Sequence, residues 1–203
     1  MVLRLVEPGP YADEAEVVAR CLRGELAAQR HLFRAHFRHV HATVFRILGV
    51  AHEAEDAAQE TFVEVFRSLW TFQARAKIST WIERIAVRVA FRHLRAGRRS
   101  DTVAELVYEV PEDGPTADGR AHAREGLRRL YQALDLLSPS TRIAFVLHVI
   151  EGRSLIDTAQ LTQCSLVATK VRVWRARRVL EAHAASDPVL ADFVCVEERK
   201  AKA

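Results

Sequence analysis

Apolar residues recur every three to four positions through most of the chain, the spacing of one face of an α-helix rather than the alternation of a strand. This periodicity predicts helices over Glu14–Arg23 and Ala27–Leu48, the second with Leu32, Phe33, Phe37, Val40, Val44, Ile47 and Leu48 on one side and Gly49 as its stop. A third helix is predicted from Glu53 to Trp70. Its first turn carries Glu53, Glu55 and Asp56, where carboxylates favour the positive end of the helix dipole. Phe62, Val65, Phe66 and Leu69 form its buried side, and Asp56, Gln59, Glu60 and Glu64 its polar side. After a basic loop over Thr71–Ile78, Thr80-Trp-Ile-Glu83 fits a capping box opening a long helix to about Arg95. The pattern breaks at Val110-Pro-Glu-Asp-Gly-Pro-Thr-Ala-Asp-Gly119, a stretch with the composition of a linker. Helices are then predicted over Leu127–Leu137, ended by Ser138-Pro139, over Ser140–Glu151, stopped by Gly152, over Leu155–Leu161, and from Leu166 to about His183. The last two, separated by Thr-Gln-Cys-Ser, have the layout of a helix-turn-helix.

The expected fold is therefore all-α. It comprises two small helical domains, residues 12–99 and 121–184, joined by a flexible acidic linker over 100–120, with a tail over 185–203. Composition agrees: 203 residues with 49% hydrophobic and 28% charged supply a core without the bias of a disordered chain, and 8 glycines with 7% aromatics favour helices. Cys21, Cys164 and Cys195 lack CxxC spacing, so neither a disulfide framework nor a cysteine zinc site is expected. The opening MVLRLVEPGPYADE has no long apolar run, which points to a cytoplasmic protein without membrane insertion.

Charge adds function to this outline. Between Arg75 and Arg99 stand eight basic residues and one acid, whereas Asp101–Gly119 holds six acids and no Lys or Arg. Arg84, Arg88, Arg92, Arg95 and Arg99 recur at intervals of 4, 4, 3 and 4, which makes one stripe on a helix, with Ile82, Ile85, Ala86 and Val89 left for the core. Without acidic partners at i+4 such a stripe repels itself, and it suits the phosphates of a nucleic acid. In the last helix Leu166, Thr169, Val173, Ala176 and Leu180 share an inner face, leaving Val167, Lys170, Val171, Trp174, Arg175 and Arg178 outside. Val167, Ala168, Lys170 and Val171 stand at the end that a recognition helix presents to bases, and Arg172, Arg175 and Arg178 suit the DNA backbone. No HExxH, P-loop or Gly-x-Ser-x-Gly occurs, so catalysis is not expected, nor is a cofactor. His36 and His39 have the spacing for a metal pair, but a polar helix face is the simpler reading.

Several of these segments together resemble one family. Asp56-Ala-Ala-Gln-Glu-Thr-Phe62 and Phe72-Gln-Ala-Arg-Ala-Lys-Ile-Ser-Thr-Trp-Ile-Glu-Arg-Ile-Ala86 resemble the first domain of bacterial sigma factors of the extracytoplasmic-function group. Leu137-Ser-Pro-Ser-Thr-Arg142, Glu151-Gly-Arg-Ser154 and Lys170-Val-Arg-Val-Trp-Arg-Ala-Arg-Arg178 resemble its second domain, and the match spans residues 12–184. The resemblance implies a promoter-specificity subunit that joins core RNA polymerase through the beta-prime and beta subunits. Asp56, Gln59, Glu60, Phe62 and Glu64 would dock on the beta-prime coiled coil. Phe72, Arg75, Lys77, Ser79, Thr80, Trp81, Arg84, Arg88 and Arg92 would melt and read the minus-ten element, bases being held by stacking and pockets. Ser165, Val167, Ala168, Lys170, Val171, Arg172, Trp174, Arg175 and Arg178 would read the minus-thirty-five element. An anti-sigma protein is a further expected partner. The chain departs from the family pattern at Ile78, Arg88 and Trp174, and at Thr158, Thr162, Gln163 and Thr169, which stand for apolar residues and a turn glycine and imply a less apolar helix-turn-helix core. The alternative from the residues alone is a stand-alone helix-turn-helix regulator, typically a dimer on palindromic half-sites.

Overall fold

The computed structural model describes residues 14–74, 76–96 and 117–191. Expectations for Arg75, Arg98, Arg99, linker residues 100–116, Cys195 and the tail beyond 191 lie outside the described residues. Eight α-helices form the described chain: α1 (Glu14–Leu22), α2 (Leu26–Leu48), α3 (Ala51–Ser68), α4 (Ile78–Arg95), α5 (Ala117–Leu134), α6 (Pro139–Phe145), α7 (Leu155–Leu161) and α8 (Leu166–Ala184).

In the first domain α2, α3 and α4 pack on one another, with α1 laid against α2. Ala54, Ala57 and Ala58 of α3 are completely buried, so small side chains let the helices approach while Val44, Ile47, Val65, Ile82 and Val89 fill the space between them. Each large buried side chain contributes roughly 1.5–3 kcal/mol relative to exposure. At one end Phe33 stacks on Phe37 and meets Phe62 edge to face, with ring centroids 4.8 Å apart in both pairs. Helix α3 starts at Ala51 and ends at Ser68, and a 3₁₀ turn over Leu69–Thr71 carries Trp70.

The expected capping box does not form. Helix α4 begins at Ile78, two residues before Thr80, and its first amide is satisfied from outside by Glu14, whose Oε2 accepts from the Ile78 N–H at 3.1 Å. Glu83, freed of a capping duty, is buried and turned to the second domain.

Helix α5 begins at Ala117, ten residues before the expected Leu127, so residues 117–120 belong to a helix and not to the linker. The expected helix over Ser140–Glu151 is α-helical only to Phe145 and widens into a π-turn over Val146–Ile150. This turn delivers Arg153, whose carbonyl meets His148 Nδ1 at 2.7 Å, to the face shared with the first domain. Ser154 and Ser165 cap α7 and α8, each hydroxyl accepting one backbone N–H, from Asp157 at 3.0 Å and Ala168 at 3.2 Å.

The threonines of the helix-turn-helix are accommodated. Thr158 and Thr169 are fully buried, and their hydroxyls donate to the carbonyls one turn back, those of Ser154 (2.9 Å) and Ser165 (3.1 Å). Gln163 takes the left-handed conformation at φ +52°, the geometry for which the turn glycine was expected. Leu166, expected inside, is partly exposed, whereas Thr169, Val173, Ala176 and Leu180 are buried as the wheel predicts. Beyond α8, a helical turn over residues 188–191 buries Leu190, and Asp187 pairs with Arg129 at 3.2 Å, so the first part of the tail is docked.

The two domains pack directly on each other through α4 against α6 and α7 and through α2 against the π-turn. At the centre of this seam lies Arg142, buried to 3% exposure, whose Nε and Nη2 donate to the Ile47 and Leu48 carbonyls at 2.7 and 2.8 Å. Its remaining arm holds Asp135. Tyr131 lies beside it, its hydroxyl donating to the Arg46 carbonyl at 3.2 Å. A second cluster joins Arg46 to Glu151 at 3.2 Å and Arg153 to Glu83, with His39 Nε2 at 3.4 Å from Glu83.

Candidate nucleic-acid interface

Helix α3 divides its polar residues between two surroundings. Asp56 and Gln59 are exposed, and Gln59 bonds to Glu55 at 2.9 Å along the same helix. Glu60 and Glu64, one and two turns further, instead face α4. Arg88 Nη2 donates to Glu64 Oε2 at 3.0 Å, Arg92 Nη2 to Glu60 Oε1 at 2.9 Å and also to Glu64, and His93 Nε2 meets Glu60 Oε2 at 2.8 Å. Partial burial by itself would raise the Glu60 and Glu64 carboxyls, but the hydrogen bonds from His93, Arg92 and Arg88 outweigh it and hold both below the ordinary carboxylate range. The arginine stripe is therefore not without acidic partners. They come from the neighbouring helix, which spacing along α4 alone does not reveal.

Phe62, expected among the docking residues, is buried at 3% exposure in the aromatic stack and takes no part in the surface. It shares a helical face with Ala58, Val65 and Leu69, all buried. The exposed side of α3 and of the 3₁₀ turn after it carries two apolar residues that the periodicity did not single out, Val63 (47% exposed) and Trp70 (75%). Val63 lies one turn beyond Gln59, and Trp70 two turns beyond Val63, so an apolar residue on a polar face was the available signal.

The loop before α4 brings Phe72 and Trp81 edge to face, with centroids 5.6 Å apart, both partly buried against the core. Lys77 is exposed, and Ser79 and Thr80 stand in the first turn of α4. Arg84 is half-buried and its Nε is an unpartnered buried donor. It faces a cavity of about 340 Å³ between the domains, floored by Val87, Phe91, Ile143 and Leu161 and also lined by Arg88 and Arg172. Arg172 thus borders the seam, away from the outer face of α8. That face presents Val167 (71% exposed), Lys170, Val171, Trp174 (62%), Arg175 and Arg178. Ala168 is half-buried, and the Ser165 hydroxyl is committed to its cap.

Hydrogen bonding to Glu83 raises the His39 imidazole, against burial and Arg153, which lower it. Protonated His39 therefore stabilises the seam fully below its unfolded pKa of about 6.5, and the contribution fades as pH rises through the higher folded value. The thermal midpoint should fall more between about pH 6.5 and 8 in the native chain than in His39→Gln. Equal pH profiles would remove His39 from the seam's energetics. No group of three or more side chains that could hold a metal ion occurs among the described residues. Among the described residues no helix is long and apolar enough to cross a membrane.

A helix-turn-helix domain seated against a helical domain whose long last helix is lined with arginine defines a nucleic-acid-binding protein of transcription. Comparison with known proteins is specific. Sigma-70 region 2 matches residues 32–100 and sigma-70 region 4 matches residues 127–180. The chain is 31% identical to the RNA polymerase sigma-H factor of Pseudomonas aeruginosa over 83% of its own length and 92% of that protein. It is 30% identical to the ECF RNA polymerase sigma factor SigM of Mycobacterium tuberculosis, over 81% of each chain. The fold is similar to that of CnrH, solved in complex with the cytosolic domain of CnrY (TM-score 0.60, 25% identity, 86% and 98% of the two chains covered). It is also similar to that of the sigma factor RpoE, solved with the anti-sigma factor NepR from Bartonella quintana (TM-score 0.51, 20% identity, 78% and 97% covered). The chain belongs to the sigma-70 family of RNA polymerase sigma factors, in the ECF group. Members of this family are initiation factors and not enzymes.

Proposed function

We propose that the first domain joins core RNA polymerase and melts the minus-ten element while the second reads the minus-thirty-five element, with residues 100–116 as the tether between them. The observation that carries this division is the pairing of an exposed Asp56–Gln59–Val63 face on α3, continued by Trp70 in the 3₁₀ turn, with a separate exposed Val167–Lys170–Val171–Trp174 face on the recognition helix. An acidic and amide rim around two apolar residues suits a partner helix pair bearing basic groups, as on the beta-prime coiled coil. On α8, Val167 and Val171 suit thymine methyls and Lys170 a base acceptor, with Arg175 and Arg178 on the backbone. Lys77 and the α4 arginines supply charge to the melted strand beside the Phe72–Trp81 pair. The cytoplasm, where the polymerase works, is the proposed location.

The structure changes which substitutions test this reading. Reversing Glu60 would set a cation against Arg92 and His93, so the informative variant is Asp56→Arg with Gln59→Arg, both exposed. The native chain is expected to co-elute with sigma-free core polymerase, and the double variant to lose affinity on the order of a hundredfold, as for charge reversal at an interface. A variant that co-elutes like the native chain would reject the docking face. A native chain that ignores polymerase and protects a palindrome as a dimer would point to the stand-alone regulator.

A solved relative at 25% identity was captured with the cytosolic domain of another protein, and another sigma factor of the same fold with an anti-sigma factor. The arginine-lined cavity between the domains is the proposed seat of an acidic segment of such an inhibitor on this chain.

A further inference from the structure

The residues read as the docking face and those read as the DNA face are bonded to each other. Glu60 and Glu64 lie on α3, with Asp56 and Gln59; Arg88 and Arg92 lie in the middle of the α4 stripe. All four carboxylate oxygens of the two glutamates are occupied: Glu60 Oε1 by Arg92, Glu60 Oε2 by His93, Glu64 Oε2 by Arg88 and Glu64 Oε1 by Arg92. Arg92 Nη2 is shared between both carboxylates. A phosphate approaching the middle of the stripe therefore meets cations already neutralised, and it must compete with two carboxylates for the same N–H groups. The arginine pairs remain partly exposed, with the Arg88 and Arg92 side chains 54% and 42% accessible, whereas His93 is only 10% accessible. Pairs of this kind are weak enough in water to be exchanged for a better partner.

We propose that Arg88 and Arg92 form a latent phosphate-binding site for single-stranded DNA, which Glu60 and Glu64 keep covered until the α3 face engages the polymerase. The site deepens the reading of α3 and α4 above and rests on it for the identity of the opening partner. The cover itself is a property of the free chain. Helix α3 is rigidly packed through Ala57, Ala58 and Thr61, so the carboxylates cannot leave by moving the helix. They leave by side-chain rotation toward a partner that offers them cations. Arg88 and Arg92, bent toward α3 until then, swing out along the stripe with Arg84 and Arg95. In this way docking and strand capture become linked through shared side chains, without any change of backbone.

Binding of a labelled single-stranded oligonucleotide to the free, full-length chain tests the cover. Glu60→Gln with Glu64→Gln should bind about tenfold tighter than the native chain, with a salt dependence steeper by about one to two neutralised phosphates. The control Glu16→Gln with Glu181→Gln makes the same change in net charge away from α4 and should gain much less. Double-variant affinity and salt slope equal to the control's would overturn the proposal. Glu64→Gln alone, which frees Arg88 while leaving Glu60 on His93, should give an intermediate gain and guards against a folding defect in the double variant. In the complex with core polymerase, Arg88→Gln with Arg92→Gln should weaken promoter binding on the order of tenfold, against less than about twofold for the free chain on the oligonucleotide. An equal loss in both settings would overturn the opening step. Core binding by Asp56→Arg with Gln59→Arg is measured separately: its persistence rejects the docking face, while tighter oligonucleotide binding by the glutamine variant would still establish the cover.

Discussion

Gly49→Ala should part the two domains. Gly49 ends α2 in the left-handed conformation at φ +78°, and its amide closes the last turn on the Phe45 carbonyl at 2.7 Å. A Cβ there would sit 2.2–2.8 Å from three atoms of the Tyr131 ring, a distance no contact tolerates. Tyr131 cannot yield easily, because its ring lies beneath the Arg142 guanidinium at 5.7 Å and its hydroxyl holds the Arg46 carbonyl. The left-handed backbone costs about 1–2 kcal/mol for any residue with a Cβ, and the overlap adds more while the seam stays closed. Separation removes the overlap but not the backbone strain, so the molecule is expected to open. X-ray scattering should show a larger radius of gyration together with a lower thermal midpoint. Gly152→Ala is the matched comparison: its φ is +69° but nothing lies within 4 Å of the added carbon, so it should lower the midpoint without opening. Equal compactness of both variants and the native chain would refute the steric argument.

Arg142→Met should act on the same seam by a different route. Methionine occupies much of the arginine's volume but has no donors, so the Ile47 and Leu48 carbonyls, buried at the negative end of α2, lose their partner. Leaving such groups unpaired costs about 1–3 kcal/mol for each carbonyl while the domains stay together. Asp135 contributes little to this cost, since its side chain is 61% exposed and water replaces the guanidinium. Water also reaches the carbonyls once the domains part, so the observable loss is capped at what docking itself is worth. The expected result is an open chain whose separate domains remain helical. Lysine should rescue only partly, because one ammonium cannot reproduce two donors fixed in a plane. A native radius and thermal midpoint in Arg142→Met would show that the seam does not depend on these bonds.

Both variants concern residues that are plain on the page of the sequence and silent about their role. Gly49 reads as a helix stop, which it is, and nothing nearby announces an aromatic ring from a helix more than eighty residues later. Arg142 sits in the Leu-Ser-Pro-Ser-Thr-Arg motif, where a charged residue on a short helix suggests solvent. Glu83 is the clearest miss. Its spacing from Thr80 satisfies a capping box, but Glu14 had already supplied a capping oxygen to α4, and a buried ion pair with Arg153 took Glu83 instead. Phe62 and Glu60 show the same limit within one helix: a wheel sorts inside from outside, and it does not say which neighbour lies on the outside.

The order of helices, their polar and apolar faces, the helix-turn-helix and the family all follow from the chain read by itself. They rest on interactions between residues three or four positions apart, or on motifs of short span, and local spacing encodes these directly. Only the tertiary structure decided that the domains close on Arg142 and Tyr131, that α5 begins inside the linker's composition, and that Arg88 and Arg92 are covered by Glu60 and Glu64. Those pairings join residues 24 to 95 positions apart. An ion pair or a carbonyl contact across such distances depends on how helices are stacked, and the pattern along any one helix holds no trace of its partner.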